Sequence, residues 1–419
     1  MIRWRYRLRG LAAATAGLLV GLACGTTQGS QAGTTTQEVG VTDTSVTIGA
    51  TTPLSGPASF YAPVSKGANA YYQYINAQGG VNGRQIKYVV YDDGYDPAKA
   101  VPLVHQLVEQ DQVFAVVGEL GTPINTATEP YLNQRKVPDI FVATGASKWG
   151  AQYKQFPWTI GLQSDYVSEA KVYAKDIVKN HANAKIGILY QNDDFGKDYI
   201  NGLTQGLGSN SGWITGTASY DATAAPDVSS QVAALKDKGT DLVLIAATPA
   251  FAISAMKSIA KLNWKPNIYL DNVATSTVNT NAVIAAGAGQ AIEGMTSSVT
   301  AKDPNDARWA DDPVMALYRK VLAQYCTPQP CNPTDATYFA GMAGAWVLVD
   351  VLKKMGKNNV TRTALMQQVR NMNISDDPFN LPGITLRTGG SNQYPTTQLA
   401  LEHFQSGHWV IDYTIINAR

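Results

Sequence analysis

The chain has 419 residues, 45% of them hydrophobic, which is enough for two or three domains with ordinary cores. Its formal net charge is +1, and the first 23 residues hold Arg3, Arg5, Arg7 and Arg9 without a single acid, so the remainder carries about −3. No polybasic surface is left for a phosphate backbone, which argues against nucleic acid as a partner.

In chain order, an arginine-rich start leads into an apolar run, Leu11 to Ala23, and then Cys24. This reads as a secretory signal (1–23), too short for a comfortable membrane span. VGLAC (Val20 to Cys24) resembles a bacterial lipobox, in which the cysteine is lipidated and becomes the mature N-terminus, although Gly21 departs from the usual larger aliphatic residue. The alternative is a plain secretory cut nearby that leaves a free thiol. The Gly, Ser, Thr and Gln segment that follows, within 24–43, cannot bury a core and reads as a flexible tether reaching on the order of 25 Å.

The stretch Val46 to Val101 predicts a strand, a long loop, a helix, a strand and the start of a second helix. Val46 to Ala50 is short and apolar, and Thr51 to Pro63 is rich in Pro, Gly, Ser and Thr. Val64, Ala68, Tyr71 and Ile75 make one apolar helical stripe, which Gly79 and Gly80 stop. Ile86 to Tyr91 reads as a parallel strand covered on both faces, and Asp96 with Pro97 as the cap and first residue of the next helix. Strands at Val113 to Val117 and Asp139 to Ala143 follow, with the loops Gly118 to Pro123 and Thr144 to Trp149 after them. From Gln163 the alternation restarts and runs to a strand at Asn267 to Asp271; helices then fall at Pro313 to Tyr325, Ala336 to Lys354 and Thr361 to Met372. The pattern predicts an α/β protein with open parallel sheets and a site at the strands' carboxyl ends. Cys326 and Cys331, five apart around a Pro-rich turn, predict a small disulfide loop.

IGATTPLSGP (Ile48 to Pro57), INAQGGVNGR (Ile75 to Arg84) and YDDGYDPAKAV (Tyr91 to Val101), in that order, resemble the periplasmic-binding proteins of the branched-chain amino acid type, the extracytoplasmic receptors of ABC importers. The resemblance implies two doubly wound lobes with a hinge crossed three times, lobe one taking 44–163 and about 296–386, lobe two 164–295 and about 387–419. It also implies ligand contacts. Thr122 matches a hydroxyl residue that meets a ligand carboxylate, Gly145 a small residue and Ser147 a second hydroxyl; Tyr61 and Phe195 match aromatic walls. From lobe two, Asn272 is the preferred match to the position where relatives present a carboxylate to the ligand's ammonium, with Asp271 one residue away, and Thr248 is a further candidate. A disulfide that relatives carry between two of these loops is replaced here by Tyr95 and Gly121. Burying an ammonium without a carboxylate is costly, so a small carboxylate or amide with an apolar end is the expected ligand and a branched-chain amino acid the runner-up.

SEAK (Ser168 to Lys171) and SAMK (Ser254 to Lys257) fit a loose nucleophile pattern, but no K-T-G partner, G-x-S-x-G elbow, Walker loop or H-E-x-x-H accompanies them. The four histidines are scattered, so neither a metal nor another cofactor is expected. The reading is an exported, lipid-anchored solute receptor that delivers its ligand to an ABC permease. A ligand-sensing module of the same fold is the alternative, and a hydrolase a third.

Overall fold

The computed structural model of the chain describes residues 38–419; the signal, Cys24 and nearly all of the tether lie outside them. The first lobe runs β1 (Ser45–Thr52), α1 (Ala62–Ala77), β2 (Gln85–Asp92), α2 (Pro97–Glu109), β3 (Ala115–Val117), α3 (Thr122–Gln134), β4 (Asp139–Val142), α4 (Lys148–Ala151) and β5 (Thr159–Gly161). Its sheet has the order β2-β1-β3-β4-β5 with every pair parallel. The second lobe runs α5 (Tyr166–Asn180), β6 (Ile186–Gln191), α6 (Asp194–Leu207), β7 (Ile214–Tyr220), α7 (Ser229–Asp237), β8 (Leu242–Ala246), α8 (Pro249–Lys261), β9 (Asn267–Leu270), α9 (Thr277–Ala285) and β10 (Thr296–Val299).

The chain then returns to lobe one as α10 (Pro313–Tyr325), α11 (Ala336–Met355), α12 (Arg362–Val369) and the short antiparallel pair β11 (Asn373–Ile374) and β12 (Leu386–Arg387). Val314, Phe339 and Leu365 of these helices share one core with Tyr71, Phe114 and Ile140 of the first half. Finally β13 (Gln398–Gln405) and β14 (His408–Asn417) form a hairpin on lobe two, turned at Ser406 and Gly407, both with positive φ. The second sheet has the order β14-β13-β10-β9-β8-β6-β7.

Local chemistry places most boundaries where the sequence puts them. Gly79 and Gly80 end α1 with φ of +96° and +78°, and the Asp96 carboxylate caps α2 by accepting from Ala98 N at 2.9 Å. Cys326 and Cys331 are joined as a disulfide, with Cα atoms 6.3 Å apart. Three details depart from expectation. β2 is an edge strand, so only its Ile86 is fully buried and Gln85 and Lys87 face solvent, rather than both faces being covered. β10 hydrogen-bonds with β9 and β13, so the return to lobe one comes after Val299, not near Thr296. The helix expected to reach Met372 stops at Val369, because the next residues turn into β11.

The lobes are joined at three places, near 162–165, 300 and 395–397. There the strands hold one another: Thr396 Oγ1 donates to Leu162 O at 2.7 Å, and Leu381 N donates to Thr300 O at 2.9 Å. Arg419, at the chain's end, reaches Asp165 at 3.1 Å across the same region.

Candidate functional site

The loops after β1, β3 and β4 meet at one edge of the first sheet. Leu120 N donates to Thr51 O at 3.3 Å and Gly121 N to Ala143 O at 3.4 Å, which ties the three loops together. The hydroxyls of Thr122 and Thr144 lie 2.5 Å apart and both are buried. Thr122 is the first residue of α3, so it stands at a helix N-terminus whose free N–H groups favour an anionic oxygen.

Lobe two closes over this edge. Ser147 N and Oγ donate to the Asp198 carboxylate at 2.6 and 3.0 Å, and Lys148 Nζ lies 3.4 Å from Asp194. At the other side Ser276 Oγ donates to Asp335 at 2.8 Å, and Ala222 of lobe two packs beside Tyr95 and Leu120. Burial in this contact pushes the Asp198 carboxyl up to about 6.

Between the lobes lies a cavity of about 360 Å³, a size suited to drug-sized ligands of roughly 300–1,000 Å³. Of the residues singled out from sequence, Tyr61, Thr122, Phe195, Thr248 and Asn272 line it. Phe195 is 2% exposed and packs on Tyr166 with ring centroids 4.8 Å apart, its position set by Asp193, which caps α6. Thr248 is held by Tyr220, whose hydroxyl accepts from Thr248 N at 2.9 Å. Asn272 N donates to Glu169 at 3.0 Å, while its side-chain oxygen finds no protein partner.

Gly145, Ser147 and Asp271 do not line the cavity. A Cβ on Gly145 would sit 2.5 Å from Ser164 O, so glycine is required there for packing at the hinge. Ser147 spends both its donors on Asp198, as a bridge between the lobes. Asp271 is fully buried under β8, where its Oδ2 accepts from Ala247 N at 2.7 Å. Desolvation first, and the Glu169 charge after it, drive the Asp271 carboxyl well above the usual range.

A different carboxyl faces the cavity. Glu402, on β13, is 3% exposed, lines the space and has no hydrogen-bond partner among the described residues. Burial, then the charges of Asp303 and Glu169, push it well above the usual carboxylate range. Nothing in the local sequence marks it, since its side of β13 is decided by pairing with β10, where Glu402 stands opposite Ser297. Tyr95, Thr144 and Tyr166 also line the cavity without having been singled out as ligand contacts.

Residues 45–402 match the periplasmic binding protein family. The chain belongs to that family. Among its relatives is the Leu/Ile/Val-binding protein homolog 3 of Brucella melitensis, 28% identical over 47% of this chain and 53% of that protein, so the match spans about half of the relative's length. Solved structures share the fold over nearly the whole chain. The fatty acid ABC transporter substrate-binding protein from Thermomonospora curvata superposes with a TM-score of 0.75, 22% identity, and 91% and 94% coverage of the two chains. A branched chain amino acid ABC transporter protein from Thermus thermophilus with bound valine gives 0.76, 16% identity, and 89% and 96% coverage. The two-lobed architecture is therefore that of periplasmic binding proteins of the branched-chain amino acid type. No helix among the described residues is long and apolar enough to cross a membrane.

Proposed function

We propose that the protein is an extracytoplasmic solute receptor of an ABC importer, which closes on a small carboxylate or amide with an apolar end and presents it to the permease. The observation that carries this reading is the cavity held between two bridged lobes, with the Thr122 and Thr144 hydroxyls at one end and aromatic rings along the wall. Hydroxyls and a helix N-terminus suit a carboxylate oxygen, and Phe195, Tyr166 and Tyr61 suit an apolar body. Binding rather than catalysis is the role proposed.

A branched-chain amino acid is the second reading, and Glu402 favours it, since a buried carboxyl in the cavity lining offers an ammonium an acceptor. The names of the relatives cover both classes, the Brucella protein being named as a homolog of Leu/Ile/Val-binding protein and the Thermomonospora protein for a fatty acid. Lipid anchoring through Cys24 is part of the same proposal: Cys24→Ala should release the protein from the membrane, and a wild-type N-terminus other than Cys24 would remove the anchor from it.

Mass spectrometry of what co-purifies, followed by calorimetry with that compound, tests the reading. Small-angle scattering should show compaction on saturation, because lobes joined by a hinge close around what they hold. An unchanged scattering profile at saturation counts against a closing receptor.

A further inference from the structure

The cavity does not end at the cleft. It continues into lobe one, between α1, α11 and the sheet: Tyr61, Val64, Ser65, Ala68 and Tyr72 line it from one side at helical spacing, and Ala336, Ala340, Ala343, Gly344 and Val347 from the other. Val117 of β3 and Phe141 of β4 form the sheet side. From Tyr61 to Tyr72, and equally from Ala336 to Val347, a helix advances about 16 Å. Between the end rings the helix walls carry two hydroxyls, Thr337 and Ser65, the latter donating to Ala62 O, and the Phe339 ring; the remainder is aliphatic or glycine.

The glycines of this helix pair differ in what they do. Backbones touch at Gly67 and Gly341, where a Cβ would strike the carbonyls of Tyr338 and Val64. One turn on, a Cβ on Gly344 would meet only Leu162 Cδ2, at 3.9 Å. A glycine inside a helix is unfavourable relative to alanine, and packing gives no reason for this one. What lies in front of it is the cavity, and any longer side chain would fill that space.

We propose that this channel is a subsite for an elongated hydrocarbon tail, whose carboxylate or amide head stays at Thr122 and Thr144, and that Gly344 keeps the channel open. The inference rests on the receptor reading above and specifies its ligand as amphipathic and chain-like. Three backbone bonds span about 3.6 Å, so about 16 Å accommodates a straight chain of about a dozen carbons. Gly344 lines the channel beside Leu162, where a longer side chain would take the space of the tail.

Calorimetry with butanoate, octanoate, dodecanoate and hexadecanoate, and with leucine as a compact probe, tests the channel on the wild-type protein and on Gly344→Leu. Wild-type affinity should rise about fourfold per added methylene and level off near twelve carbons. Gly344→Leu should weaken dodecanoate at least tenfold and change butanoate less than twofold. Gly344→Ala, whose Cβ meets no clash, should melt no lower than wild type and weaken dodecanoate by a smaller factor; it carries the test if the leucine variant does not fold. Equal wild-type affinity for octanoate and dodecanoate, or equal losses for butanoate and dodecanoate in a folded variant, overturns the channel. If no alkanoate binds while leucine or a co-purified solute does, the channel falls and the receptor reading stands. If no solute binds at all, it is the receptor reading that fails.

Discussion

The ring of Tyr95 lies against Gly121, so close that a Cβ on the glycine would sit 2.6 Å from Tyr95 Cε2. These are the two positions at which the family resemblance places a disulfide, and here an aromatic ring on a bare backbone joins the same two loops. The contact also orients Tyr95, whose hydroxyl lies 3.5 Å from Gln191 of lobe two. Gly121 has φ of +110°, so an alanine there would be strained as well as crowded. Gly121→Ala should destabilise lobe one by about 1–3 kcal/mol, read as a lower melting temperature. A wild-type melt would show that the two loops are slack.

Thr122 and Ser147 should respond differently to substitution, because one faces the cavity and the other faces Asp198. Thr122→Val should cost roughly 1.5–3 kcal/mol of affinity for the identified ligand, or about ten- to a hundredfold, with melting unchanged. Ser147→Ala removes one bond between the lobes and should act through closure, lowering affinity by about tenfold or less and reducing the compaction seen by scattering. Equal compaction in Ser147→Ala and wild type at saturation would remove the bridge from the closing mechanism.

Leucine separates the two carboxyls. If an ammonium is bound, Glu402→Gln should weaken leucine by about tenfold or more while leaving an alkanoate of similar length within twofold. Asp271→Asn should leave leucine affinity alone and lower stability instead, because Asp271 is outside the cavity lining and its buried carboxylate accepts from Ala247 N. A leucine loss in Asp271→Asn without destabilisation would return the amino-acid contact to Asp271.

Lobe one also holds a buried acidic group behind its binding loops. Burial pushes Glu119 up to about 7 and Glu129 to about 7, and burial with the charges of those two drives Asp139 well above its ordinary range. In the unfolded chain glutamates give up their protons near 4.3, so from about that pH to about 7 the folded state binds more protons. The stability these groups contribute is fully present below that unfolded value and is lost as pH climbs through about 7. The melting temperature should therefore fall between pH 5 and pH 8, and Glu119→Gln should flatten the fall. Asp92 and Asp312, held below the usual range, act only at lower pH and leave this window alone. A melting temperature that rises from pH 5 to pH 8 would contradict the assignment.

Much of the architecture was written locally. Val64, Ala68, Tyr71 and Ile75 repeat at helical spacing, Asp96 and Pro97 can only begin a helix comfortably, and two glycines stop one; each of these acts within a few residues, so α1 and α2 formed where they were expected. The Thr122 hydroxyl and the Phe195 ring reached the cavity because each sits at a helix start just past a strand's carboxyl end, which parallel sheets direct to the cleft. Other features depended on pairings between distant residues. β10 joined lobe two because β13, about a hundred residues on, hydrogen-bonds to it, and the same register turned Glu402 inward. Ser147 was taken by Asp198 from the other lobe, a contact between residues 51 apart that no local pattern marks. The alanines and glycines of α11 read in sequence as an ordinary buried helix; only its packing against α1, tight at Gly341 and open at Gly344, made one turn of it a seal and the next the wall of a channel. Periodicity reports which face of a helix is apolar, and tertiary packing decides whether that face meets protein or ligand.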